Sequence, residues 1–236
     1  MTAERTEGET PSVGVSGPLG SSAPTEHVPE RTASVLRGRI AEGDLAPGAK
    51  LTESRLTAEF GVSRHSLRAA FQLLAAEGLV DRRPHRGVVV HSPTAEDVRE
   101  IYRTRRVLEL GTVSVTDYDE EALAQLDGIV ESARRAARTG DAPEMAQANQ
   151  DFHRRITAQA HSAVVTRAME EMLARMRLLF HTMRDISTFH ADYVESNART
   201  VELLRAGHRP AVVEHMSTYF DRAERRLLDH LGDRGR

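Results

Sequence analysis

The chain has 236 residues, enough for two small domains or one larger one. It contains no cysteine and no tryptophan, which excludes a disulfide framework, a thiolate-held zinc or iron–sulfur centre and a cysteine nucleophile; a reducing cytoplasm fits this usage. Its 31 arginines and one lysine, Lys50, stand against 35 acidic residues, and the resulting net charge of −3 argues, as an average, against a nucleic-acid partner.

In residues 1–30, 16 are Gly, Pro, Ser or Thr, and there is no aromatic residue or apolar run. Such a stretch cannot bury enough surface to offset its ordering entropy, so it reads as a disordered tail. It lacks the basic start and the apolar stretch of about 7 residues that a signal peptide needs. No apolar run of about 18 residues occurs anywhere, so no membrane partner is expected.

From Arg31 the pattern is periodic. Val35, Leu36, Arg39 and Ile40 predict a first helix ending near Gly43, and Leu45-Ala46-Pro47-Gly48 predicts a turn. A second helix fits Glu53 to Phe60, capped by Thr52 and followed by a sharp turn at Gly61. Ser63 then caps a third helix that runs to about Glu77, with Leu67, Ala70, Phe71 and Leu74 on one face, and Gly78 ends it. Two short β-type runs, Leu79-Val80 and Val88-Val89-Val90, flank the basic loop from Asp81 to Gly87 and read as a hairpin. Pro93-Thr94 forms a boundary. Beyond it the pattern is wholly helical, over about 95–113, 119–138, 142–160, 163–186, 190–206 and 209–231. The expected domains are therefore a tail at 1–30, a unit at 31–92 and an all-α unit at 93–236.

Segment by segment, the charge argument reverses. Residues 1–30 carry −4 and residues 93–236 carry −3, whereas residues 31–92 carry ten bases and six acids, or +4. A short helix, a turn, a capped second helix and a basic hairpin are the layout of a winged helix-turn-helix. The N-terminal end of the third helix would enter a major groove, placing Arg64, His65 and Arg68 toward base edges. Arg64 and Arg68 share a helical face, and an arginine can donate two hydrogen bonds to guanine O6 and N7. Arg82, Arg83 and Arg86, with Gly87, would meet phosphates or a minor groove, and the helix start from Ser63 to Ser66 suits another phosphate. The competing reading is an ordinary solvated charged face.

Leu45-x-Pro47-Gly48-x-x-Leu51-Thr52-Glu53, Leu56 to Gly61, Gly61-Val62-Ser63-Arg64, Leu67-Arg68, Glu77-Gly78-Leu79-Val80 and Arg86-Gly87 closely resemble the GntR family of bacterial transcription regulators. Thr57 departs from the family's usual alanine, and Ser54 stands where some members carry a DNA-touching arginine. Ile101-Tyr102-Arg103-Thr104-Arg105-Arg106-Val107-Leu108-Glu109, Phe152-His153-Arg154 and Leu203-Leu204-Arg205-Ala206-Gly207 resemble the FCD effector domain of the FadR-like branch. The resemblance implies a mainly α fold, a winged helix-turn-helix followed by an antiparallel bundle of six to seven helices with a polar cavity. It also implies a homodimer on a pseudo-palindromic double-stranded DNA operator, acting as a repressor under a small-molecule effector.

Many FCD domains hold a divalent metal through an Asp or Asn four residues before the Phe-His histidine and two later histidines. Here Asn149 and His153 occupy the first pair, but the later positions fall on Asn197 and Tyr219, with His215 and His181 as candidate substitutes. Imidazole suits zinc and nickel, whereas neutral amides bind them poorly, so no metal or other cofactor is expected, although His153 remains at a ligand position. The alternative is a metal-free polar pocket in which Asn149, His153, Asn197 and Tyr219 bind an organic effector, with Arg105 pairing a ligand carboxylate. His161, His190 and His208, near predicted helix ends, are expected at the surface. No enzymatic activity is expected. Two other readings stay open: a constitutive repressor with a vestigial pocket, and a metal-dependent hydrolase in the bundle.

Overall fold

The computed structural model describes residues 27–84, 87–183 and 186–233. Helix α1, Val28–Glu42, starts behind an extended His27 with a proline in its first turn, and it buries Ala33, Leu36 and Ile40. Residues 28–30, expected in the tail, are thus helical, because Pro29 fits the first turn of a helix, where its missing N–H costs nothing. The remainder of the predicted tail, residues 1–26, lies outside the described residues.

Helix α2, Glu53–Phe60, and helix α3, Arg64–Ala76, are separated by Gly61, whose φ of +65° permits the tight reversal. The Ser63 hydroxyl accepts the Ser66 amide at 3.0 Å and closes the start of α3, which buries Leu67, Ala70, Phe71 and Leu74 as the periodicity requires. The sheet is larger than the predicted hairpin. Strands β2, Val80–Arg83, and β3, Gly87–Val90, pair antiparallel with Val80 opposite Val90, and a third strand, β1, Lys50–Leu51, adds to the free edge of β3. A two-residue strand has no readable period, and its pairing with residues 88 and 89 is a long-range event. Asp81 to Arg83, expected in the loop, belong to β2, whose polar side chains face outward.

Helix α4, Ala95–Arg105, opens with a capping box between Thr94 and Asp97. It continues without a break into a π-helical segment, Arg106–Leu110, and then α5, Gly111–Val115, so the expected single helix contains a wider turn. The bundle is completed by α6, Glu120–Thr139, α7, Ala142–Ala158, α8, Ala163–Phe180, α9, Ile186–Arg205, and α10, Arg209–Asp233. Six helical stretches therefore follow the sheet among the described residues, as predicted, although α8 ends earlier than expected and α9 begins earlier.

Among the described residues two large hydrophobic cores result, with a small satellite of Ala133, Ala148 and Val194. One joins α1, α2, α3 and the sheet around Leu36, Phe71 and Val90; the other fills the bundle around Tyr102, Phe152, Leu179 and Phe220. Helix α8 walls both. Leu179 belongs to the bundle core, while the adjacent Leu178, 1 % exposed, belongs to the first core. At the same joint, His181 Nε2 donates to the Ala41 carbonyl at 2.8 Å. Among the described residues, no helix is long and apolar enough to cross a membrane.

Candidate nucleic-acid interface and buried polar site

The first candidate site is the N-terminal end of α3 together with the hairpin. Burial of one α3 face forces the opposite one outward, so Arg64, His65 and Arg68 are exposed, while Ser63 is committed to capping and its hydroxyl also lies 2.9 Å from that of Ser66. Thr52 is exposed at the N-cap of α2 and makes no side-chain capping bond. Arg68 is oriented. Its Nε donates to both Glu53 carboxylate oxygens, at 3.0 and 3.1 Å, and this pairing raises the basicity of the guanidinium. A carboxylate on Nε fixes the plane of the side chain and leaves the terminal nitrogens facing solvent.

Arg82 and Arg83 are exposed on β2, with Arg83 3.5 Å from Asp81, and Gly87, at φ +79°, pairs opposite Arg83. Arg86, the third predicted hairpin arginine, lies outside the described residues.

The second site is a chain of polar groups inside the bundle. Arg105 and Glu109 lie one turn apart, and both are buried. Arg105 Nε donates to Glu109 Oε1 at 2.7 Å, while Glu109 Oε2 is 2.6 Å from His153 Nδ1. His153 Nε2 is 3.0 Å from the Tyr219 hydroxyl, which also lies 3.2 Å from Asn149 Oδ1; the same oxygen accepts from Asn197 Nδ2 at 3.1 Å. The structure thus gathers Arg105, Asn149, His153, Asn197 and Tyr219 from α4, α7, α9 and α10. The Arg105 guanidinium also stands 5.2 Å from the centre of the Tyr102 ring and 4.9 Å from that of Phe220, so the rings share in solvating its charge. Its Nη2 is buried without a hydrogen-bond partner among the described residues.

Electrostatics follow from this packing. Burial pushes the Glu109 carboxyl up, but Arg105 and His153 together outweigh it and hold the group below the usual carboxylate range. Burial and Arg105 depress the basicity of His153 despite Glu109. A neutral His153 then donates from Nδ1 to Glu109 and keeps Nε2 as an acceptor, so the one Tyr219 hydroxyl proton serves either Nε2 or Asn149 Oδ1; burial pushes the ionisation of that hydroxyl up.

Two predicted substitutes lie elsewhere. His181 caps the end of α8 against α1, and His215 bonds the hydroxyl and carbonyl of Ser196, at 3.2 and 3.0 Å; neither joins the buried chain. Two buried residues were missed. Glu109 was legible as a charge one turn after Arg105, on the face that carries Val98, Ile101 and Tyr102. His190, expected at the surface, is 1 % exposed, with its ring 4.7 Å from that of Phe180 and no hydrogen bond to either nitrogen among the described residues; burial and the nearby His153 lower its pKa to about 4. It sits two turns before Asn197 on α9, which places both on one helical face.

The donor set does not fit a divalent metal. One imidazole, two amides and a phenol offer one good ligand for zinc or nickel, and the nearby carboxylate is already engaged by Arg105 and His153. Among the described residues, no group of three or more histidines and carboxylates is placed to hold an ion.

Residues 29–90 match the family described as bacterial regulatory proteins, gntR family, and residues 100–222 match the FCD domain. The chain is 32 % identical over 183 residues to a probable D-xylose utilization operon transcriptional repressor of Paenarthrobacter nicotinovorans, covering 76 % of this chain and 79 % of that one. It is 29 % identical over 194 residues to the uncharacterized HTH-type transcriptional regulator YdhC of Bacillus subtilis (strain 168), covering 79 % of this chain and 84 % of that one. A putative GntR transcriptional regulator of Rhodococcus sp. RHA1 superposes with a TM-score of 0.77 at 33 % identity, covering 85 % of this chain and 97 % of that one. The two matched regions together take in the winged unit and the bundle, and the chain belongs to the GntR family of DNA-binding transcriptional regulators, with a C-terminal FCD domain.

Proposed function

We propose that this protein is a homodimeric repressor that binds a pseudo-palindromic operator through residues 31–92 and answers to a carboxylate-bearing metabolite in the bundle of residues 93–236. The observation that carries the DNA half is the start of α3, where Arg64 and Arg68 are exposed and Glu53 orients Arg68 through Nε, its terminal nitrogens making no hydrogen bond among the described residues. In a major groove those nitrogens suit guanine O6 and N7, while Arg82, Arg83 and Arg86 suit the backbone or a minor groove. Ser63, Ser66 and Thr52 stand at helix starts, where backbone amides favour phosphate. Two-fold protein symmetry would be mirrored in the operator. Relatives named as repressors support the sign of regulation. Selection of binding sites from a random DNA pool, followed by gel-shift titration at physiological salt, tests this reading. A paired motif bound well above bulk DNA supports it, and no preference sinks it.

For the effector, the paired donors of Arg105 and His153 are the groups a carboxylate would seek. A second reading has its own observation: the Glu109 carboxylate already accepts from both donors, so the site is satisfied internally and the repressor is constitutive. A thermal-shift screen with carboxylates and sugar acids separates the two. An effector works only if it binds the two dimer arrangements with different affinity.

A further inference from the structure

His91 sits on the short link between β3 and α4, and both of its ring nitrogens meet carboxylates. Nδ1 is 2.9 Å from Asp81 Oδ1 on β2, and Nε2 is 3.1 Å from Asp97 Oδ2 on α4. Neutral imidazole has one N–H and a carboxylate only accepts, so both contacts are hydrogen bonds only when the ring is an imidazolium. The chain of charges extends on both sides. Arg83 Nη2 lies 3.5 Å from Asp81 Oδ2, and Arg175 Nη2 on α8 lies 3.3 Å from Asp97 Oδ1 and 3.5 Å from Glu100 Oε2. Arg175 also packs against Gly78, directly after α3, where an added Cβ would stand 3.3 Å from its Nε. The hairpin strand, the first helix of the bundle and α8 are thereby joined by alternating charges, half-buried at the centre.

We propose that His91 is a positioning residue for DNA binding: its imidazolium straps β2 to the start of the bundle and fixes where Arg82 and Arg83 stand relative to α3. The proposal rests on the reading that the hairpin meets DNA. The groups facing the ring are Asp81 and Arg83 from β2, Thr94 and Asp97 from the start of α4, and Arg175 and Glu100 beyond Asp97. Burial alone would lower the basicity of His91, but the hydrogen bonds and charges of Asp81 and Asp97 outweigh it and raise the pKa above the ordinary histidine value. With a raised folded value, the strap is complete below the ordinary pKa and is lost as pH rises through the raised one. Deprotonation leaves one hydrogen bond where there were two and removes the cation between two carboxylates.

Two measurements on the full chain test it. In nitrogen-15 NMR, with the His91 signals assigned by their loss in His91→Gln, the ring is expected to titrate above the ordinary value of about 6.5 and to fall back in Asp81→Asn. With DNA selected from a random pool, affinity is expected to drop between about pH 6 and about pH 8.5 by roughly three- to tenfold more in the wild type than in His91→Gln. Every other histidine is present in both proteins, so the difference isolates His91. Titration at or below the ordinary value, or parallel affinity profiles, would overturn the strap while DNA binding stands. Failure to select any DNA overturns the regulator reading itself, and the strap's role in DNA binding with it.

Discussion

Glu109→Gln keeps the shape of a buried side chain and removes its charge, which makes it a sharp probe of the polar centre. Arg105 and Glu109 are 2 % and 0 % exposed, so the substitution leaves a guanidinium in the bundle interior with ring faces as its remaining counterweight. The amide also has one acceptor where the carboxylate had two, so either Arg105 Nε–H or His153 Nδ1–H comes to face an N–H. Removing one partner of a buried pair costs about 3–5 kcal/mol, a large part of the roughly 5–15 kcal/mol that holds a domain folded. For a chain of this size that corresponds to a Tm lower by roughly 6–20 °C. Urea unfolding followed by circular dichroism is the assay, and the midpoint should fall at unchanged slope. Replacing both partners, Arg105→Met with Glu109→Leu, should cost less than Glu109→Gln alone, because no charge is then left buried. A Glu109→Gln protein within about 1 kcal/mol of the wild type would refute the reasoning, since a cation so enclosed cannot lose its counter-charge without penalty.

Arg68→Ala should weaken binding to the selected operator on the order of tenfold and relax the preference at one base pair, read by competition among single-base variants. Glu53→Gln should relax the same base pair by a smaller factor, because Glu53 aims Arg68 without needing to touch DNA; unchanged specificity in both would make the pair structural. Leu178→Ala should destabilise by about 2–5 kcal/mol and lower the melting of the α1–α3 core in calorimetry, although residue 178 belongs to a bundle helix. Acid should also destabilise the bundle through His190. Its folded pKa of about 4 lies below the unfolded value, so the unfolded chain takes the proton first and stability falls as pH drops from about 6.5 to about 4. The loss at this residue is about 3 kcal/mol, and His190→Leu should flatten that part of the urea midpoint against pH.

The chain alone determined the order and kind of most elements, because local physics decides them. The Ser63 cap, the Gly61 and Gly78 turns and the 3.6-residue spacing from Leu67 to Leu74 each act within a few residues, and they set α3 and its exposed basic end. The same spacing rule drew Asn149 and His153 onto one face of α7. Tertiary structure decided what depends on partners far apart in the chain. Strand β1 exists because Leu51 finds Val88; Leu178 leaves the bundle core because α1 and α3 present a place for it. Burial reversed the reading of His190, whose polar ring near a predicted helix end gave no hint of the aromatic side chains around it. Above all, the wider turn after Arg105 and the approach of α7 and α10 set Glu109 between Arg105 and His153. Periodicity could put that carboxylate on an inward face, but only the assembled bundle, which buries all three groups, made it the partner of both.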